Sequence, residues 1–235
     1  MQKNDNAADV ISKILLYIRE HNFISGDRLP SERELSERFV VGRGAVREAL
    51  AILEYMRVVQ RRPNSGAYLR DLAAEGSIEA LVLQNNLGLP LKEKEVKEAM
   101  EVRYILELQA LPIACERRTA WDLQRMRKVL DESDEAISQG TSIEKQDWEF
   151  HIAIVAAAKN DIFVRVVNTF YYLSQSRRRI YFSDMKRCRS SHAQHKKIFR
   201  AIEAQDATAA NALMQQHLGR VEQDWRLALK NAATA

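Results

Sequence analysis

The segment from Leu29 to Arg70 constrains this chain most, because it holds two helix starts and a hairpin in too few residues for any large element. Leu29-Pro30-Ser31-Glu32-Arg33-Glu34 opens a helix at Ser31, whose hydroxyl can cap it while Glu34, three residues on, reaches back to complete a capping box. That helix runs to about Arg38. After a turn at 39–42 another helix follows, with Val46, Leu50 and Leu53 on one face and Arg43 and Arg47 on another. Upstream, Val10, Ile11, Ile14, Leu15 and Ile18 recur at helical spacing and predict a helix over 8–21. Downstream, 58–62 and 67–70 read as short strands around the turn cluster Pro63-Asn64-Ser65-Gly66.

Three helices followed by a hairpin describe a winged helix-turn-helix, in which the last of the three helices enters the major groove of DNA. Arg43 and Arg47, four residues apart, project from one face at its start, and Gly44 and Ala45 beside them permit close approach to a duplex. Arginine is the side chain suited to guanine O6/N7 or a phosphate. From Arg28 to Arg70 nine arginines face five glutamates, a surplus compatible with a merely solvated surface, so the order of elements says more than the charge. The net charge of the whole chain, +4, is a mild lean toward anionic partners and no more. Cys115 and Cys188 are far apart and fit neither a disulfide framework nor a zinc finger. No apolar run is long enough for a membrane span, and the first thirty residues carry charge throughout, so a cytoplasmic protein is expected.

From Glu75 onward the strand signals vanish. The expected fold class is mainly α: a winged helix-turn-helix over 1–71, a linker over 72–76, and an all-helical bundle of six or seven helices over 77–235. Its helices are expected at about 77–87, 92–118, 121–138, 143–158, 161–182, 190–204 and 206–229, with a kink at Pro112. Asp147 and His151 are one turn apart and share a face with Phe150, Ile154 and Ala158. His195 is in line with Ile198 and Ile202, and His217 falls in a stripe with Leu213, Met214, Val221 and Trp225. Singly, each imidazole reads as a hydrogen-bonded core residue. Three imidazoles and a carboxylate brought together would instead suit Zn²⁺, Ni²⁺, Mn²⁺ or Fe²⁺, and periodicity does not decide whether they meet.

Leu29-Pro30-Ser31-Glu32-Arg33-Glu34-Leu35, with Arg43-Gly-Ala-Val46-Arg47-Glu-Ala49-Leu50, resembles the DNA-binding domain of the GntR family of regulators over 8–71. The resemblance implies that Arg33, Arg43 and Arg47 contact an operator and that Gly66, at the wing tip, approaches the minor groove. One departure is Gly42, where the family usually carries Ser or Thr, so a side-chain cap is missing there. The helical part resembles the FCD effector domain of the FadR subfamily over roughly 77–230, through Asp147-x-x-x-His151, His195-Lys-Lys-Ile198 and His217-Leu218. This implies a divalent metal held by Asp147, His151, His195 and His217, with His192 as a substitute ligand or a solvent-facing residue. Arg103 and Glu107 match the family's E-x-R-x-x-x-E segment and read either as a surface ion pair or as a pocket arginine for an effector carboxylate. The run Arg177-Arg178-Arg179 with Lys186, Arg187 and Arg189 reads as solvated charge, and His21 has no expected role.

The function so implied is a ligand-responsive transcription regulator: a homodimer on an inverted-repeat DNA operator, released by a small organic acid. A metal-dependent enzyme using the His/Asp set is the first alternative, but a metalloenzyme has no need of an arginine-led helix and a wing. A DNA-binding protein whose helical domain is purely structural is the second.

Overall fold

The computed structural model describes residues 6–89 and 91–233, with side chains described as far as Val221. Trp225 therefore lies outside the described side chains. The chain forms two compact units, 1–92 and 93–235.

The first unit holds α1 (Ala7–Glu20), α2 (Glu32–Phe39), α3 (Arg43–Tyr55), the strands β1 (Val59–Arg62) and β2 (Gly66–Leu69), and α4 (Ile78–Asn86). Both halves of the capping box are made: Ser31 Oγ accepts from the Glu34 amide at 3.3 Å, and Glu34 accepts from the Ser31 amide at 2.7 Å. Val40 takes the left-handed conformation at the end of α2, φ 55°, which is costly for a β-branched residue. The turn is held by Ser36 Oγ, which donates to the Val41 carbonyl at 2.6 Å. Gly42 starts α3 without a side-chain cap, as its residue type dictates. The apolar faces of α1, α2 and α3 close on one core, with Val10, Ile14, Leu35, Val46, Leu53 and Val59 all buried.

The strands pair antiparallel, Val59 opposite Leu69 and Arg62 opposite Gly66. Gly66 has φ +117°, and a Cβ there would come 3.2 Å from Arg28 Nε, so a side chain would both strain the backbone and displace that arginine. The wing is also braced by Ser65 Oγ and Tyr68 OH at 2.6 Å, and by Arg62 stacked over the Tyr68 ring.

Helix α4, expected with the bundle, instead packs Ala80, Leu83 and Leu87 on the core of the first unit. Its entry is pinned by the Ser77 amide, which donates to the Met56 carbonyl at 3.1 Å. The first compact unit thus runs to Lys92 and the second begins at Glu93.

The second unit runs through α5 (Glu93–Arg117), α6 (Ala120–Ser138), α7 (Glu144–Ala157), α8 (Asp161–Leu173), α9 (Gln175–Tyr181), α10 (Met185–Glu203) and α11 (Ala207–Ala233). Leu111, Met126, Phe150, Ile154, Ile198, Ile202 and Met214 form its main core, drawn from α5, α6, α7, α10 and α11. A smaller cluster of Ala110, Ile152, Val155, Val167 and Tyr171 seats α8 against α5 and α7. Helix α5 continues unbroken through Pro112. The single helix expected over 161–182 divides at Ser174 into α8 and α9. Helix α10 begins earlier than expected, because Asp184 caps it by accepting from the Lys186 amide at 2.8 Å.

Candidate metal centre and DNA-binding face

Helix α7 presents Asp147 and His151 one turn apart, α10 presents His195 and α11 presents His217, and all four side chains are buried. One ligand atom from each lies within 4.8 Å of the others. His217 Nε2 is 3.3 Å from His151 Nε2 and 3.2 Å from His195 Nε2, while Asp147 Oδ1 is 3.5 Å from His195 Nε2. Edges of this length belong to donors placed roughly 2.1 Å around a central ion.

The outer nitrogens fix the chemistry of the inner ones. His151 Nδ1 donates to Glu107 Oε2 at 2.5 Å, and His217 Nδ1 donates to Gln194 Oε1 at 2.8 Å. A neutral imidazole that donates from Nδ1 has a bare lone pair on Nε2. When both rings are neutral, two such lone pairs, from His151 and His217, face each other in the buried interior, an arrangement that a cation resolves. Burial, followed by repulsion from neighbouring imidazoles, pushes His195 and His217 well below the usual histidine range and keeps them neutral, the form a metal needs. Burial would raise the Glu107 carboxyl, but Arg103 and His151 outweigh it and hold Glu107 far below the usual carboxylate range. A carboxylate behind a ligating imidazole orients the ring and strengthens it as a donor.

Glu107, which the sequence paired only with Arg103, also holds His151. Its other oxygen accepts from Arg103 Nε at 2.5 Å and from Tyr171 OH at 2.8 Å, and Arg103 Nη2 also reaches Tyr171 OH at 2.6 Å. Arg103 is 6% exposed, so the surface-pair reading of Arg103 and Glu107 is replaced by a buried network joined to His151. The i, i+4 spacing is visible in the sequence. The link to His151 is not, because it joins residues 44 apart on different helices.

His192 turns away from the cluster and bonds Asp134 Oδ1 at 2.8 Å, so it does not replace a member of the set. The solvated reading of the basic run is corrected at two positions: Arg177 and Arg178 are 4% and 5% exposed, carried inward by α9, while Arg179, Lys186 and Arg189 are exposed.

In the first unit, Arg33, Arg43, Arg47 and Gly66 are all exposed. Arg47 donates through Nε and Nη2 to Glu32 Oε2 at 3.1 and 3.0 Å, and Arg61 approaches the other oxygen of Glu32 at 3.5 Å. Glu32 thus holds a helix arginine and a wing-strand arginine on one carboxylate, a role that its place in the capped α2 start did not reveal. Arg33 stands near Glu37, 3.9 Å away on its own helix. Among the described residues no helix is long and apolar enough to cross a membrane.

A winged helix-turn-helix joined to an all-helical unit with a buried His/Asp cluster defines a transcription regulator with an effector domain. Residues 6–69 match the family of bacterial regulatory proteins called gntR, and residues 98–220 match the FCD domain. The chain belongs to the GntR family, as a DNA-binding transcription regulator with an FCD effector domain and not as an enzyme. It is similar to the HTH-type transcriptional regulator LutR of Bacillus subtilis, 32% identical over 84% of this chain and 90% of that protein. The HTH-type transcriptional repressor NanR of Cronobacter sakazakii is 30% identical over 89% of this chain and 81% of that one. Among solved structures, the Lar protein of Listeria monocytogenes shares the fold with a TM-score of 0.66 at 16% identity, covering 96% of this chain and 98% of that one.

Proposed function

We propose that this regulator binds an inverted-repeat operator as a homodimer, holds a divalent metal in its FCD domain, and releases DNA when a small organic acid binds there. The observation that carries the reading is the set of three buried imidazoles and one carboxylate, Asp147, His151, His195 and His217, with ligand atoms within 4.8 Å. These residues would hold the metal, which supplies positive charge and open positions for hard oxygen donors. Arg103, buried beside the cluster, adds a fixed guanidinium toward the acid's carboxylate. Arg33, Arg43, Arg47 and Gly66, exposed on the winged unit, are assigned to the operator. Two-fold symmetric proteins with one reading helix per subunit match two-fold symmetric sites. The repressor sense is supported by the NanR relatives, which are named repressors.

Titration of chelator-treated protein with zinc, nickel and manganese tests the metal. One equivalent per chain is expected in the wild type and none in the His195→Ala/His217→Ala double variant. Full occupancy in that variant would remove the assigned ligands. A wild type that takes up no metal would favour a purely structural helical domain.

A further inference from the structure

Arg178 is buried in the second unit without a full set of acceptors. It is 5% exposed, and its Nε and Nη1 have no hydrogen-bond partner among the described residues. Its guanidinium carbon lies 5.1 Å from the centroid of the Tyr171 ring. Arg103 lies 4.3 Å from the same centroid, and the His151 ring is 5.9 Å from it. Arg178 and the Arg103–Glu107–His151 network thus share one aromatic neighbour, Tyr171. A buried guanidinium that leaves two nitrogens unsatisfied costs the desolvation of those groups, so the arrangement favours an anion that can supply acceptors.

A cavity adjoins this arginine. Arg178 lines a cavity of about 250 Å³ together with Glu144, Lys145, Trp148, Tyr172 and Arg179, in which three cations outnumber one carboxylate. The charge count further in has the same sign. Arg103, Arg177 and Arg178 are the buried cations around Tyr171, against Glu107 and Asp147 as the buried anions. A divalent metal would add two more positive charges. Burial first, with the charge of Arg103 next, pushes Arg177 down to about 10, which leaves it protonated at neutral pH. A monocarboxylate would leave most of this excess unanswered.

We propose that Arg178 is a second anion-binding group of the effector site and that the effector is a dicarboxylic acid. One carboxylate sits at the His/Asp cluster beside Arg103 and the other, across Tyr171, takes the free nitrogens of Arg178. The proposal rests on the reading that an acid binds at the metal cluster, and it adds the second carboxylate and its receptor.

Calorimetry on zinc-loaded, full-length protein tests it with two matched pairs: malate against 2-hydroxybutyrate, and 2-hydroxyglutarate against 2-hydroxyvalerate. Within each pair the metal-facing end is the same and only a terminal methyl replaces the second carboxylate. A buried charge-assisted hydrogen bond predicts about 10- to 100-fold tighter binding of the diacid in at least one pair. Arg178→Met should bring the two members of that pair within about threefold of each other, and Arg178→Lys should restore part of the gap. Equal affinities within both pairs in the wild type would overturn the dicarboxylate and need no variant, while leaving acid binding at the metal intact. A preference that survives Arg178→Met would overturn the role of Arg178. Failure of all four acids to bind would overturn this proposal and the acid-sensing reading together. Undiminished diacid binding to zinc-free protein, with the gap still closed by Arg178→Met, would retain Arg178 and remove only the metal.

Discussion

At the scale of the residue, Glu107 is where the His/Asp cluster and the buried arginine network meet. Its carboxylate holds His151 through one oxygen and Arg103 and Tyr171 through the other. Glu107→Gln keeps the shape but can present an amide N–H where an acceptor is needed, so His151 loses its charged partner. Zinc affinity, measured by chelator competition, should fall about 10- to 100-fold, the usual loss when such a partner is removed. Unchanged affinity would show that the ring is oriented by packing alone. On the winged unit, Arg47→Ala or Arg43→Ala should each weaken specific operator binding by about 1 to 3 kcal/mol if the side chain reads a base. Anisotropy at fixed salt decides this, and full affinity in both variants would reject α3 as the reading helix. The sequence makes Asp147 and His151 readable as a pair because four residues are one helical turn. It hides Arg178 because α9 is only seven residues long, too short to show a periodic face, and three consecutive arginines look like surface charge.

At the scale of the element, the capping boxes show how far local sequence reaches. Ser31 and Glu34 are legible as a cap from residue type and spacing alone, and the same grammar operates at α6, where Thr119 and Asp122 form a second box. Asp122 is buried and also accepts from Lys159 Nζ at 2.5 Å, a contact from the turn just beyond α7 that no local pattern announces. Burial would raise the Asp122 carboxyl, but hydrogen bonds from Lys159 and Thr119 outweigh it and lower it. A lowered carboxyl means the folded state binds the proton less readily than the unfolded chain. Its contribution is therefore complete above the unfolded value of about 3.9 and fades as pH falls through the folded value. Asp122→Asn should cost about 1 to 3 kcal/mol at pH 6, as loss of a charged hydrogen bond does. It should also flatten the decline in stability below pH ~4 seen by urea unfolding. Identical acid profiles for variant and wild type would remove Asp122 as a source of that decline. The break at Ser174 and the placement of α4 are not legible, since apolar spacing continues across the first and says nothing about which core the second joins.

At the scale of the whole molecule, order along the chain carries the class: a capped short helix, an arginine-led helix and a hairpin, followed by helices alone. That order separates a regulator from an enzyme, although the same three histidines and aspartate could serve either. Convergence of the four ligands is beyond sequence periodicity, because His195 and His217 come from helices that meet His151 only through tertiary packing. A signal requires the ligand to bind one operator-binding state better than another, since equal affinity for both shifts nothing.

The central claim, that metal and acid in the FCD domain govern DNA binding by the winged unit, has one direct measurement. A duplex is selected from a random pool by the zinc-loaded protein, and its affinity is then measured by anisotropy as the tightest-binding acid is added. The acid should weaken operator binding at least about tenfold, a coupling within the ordinary allosteric range, in the wild type but not in the His195→Ala/His217→Ala variant. Operator affinity that stays the same with saturating acid, or that falls equally in the variant, would contradict it.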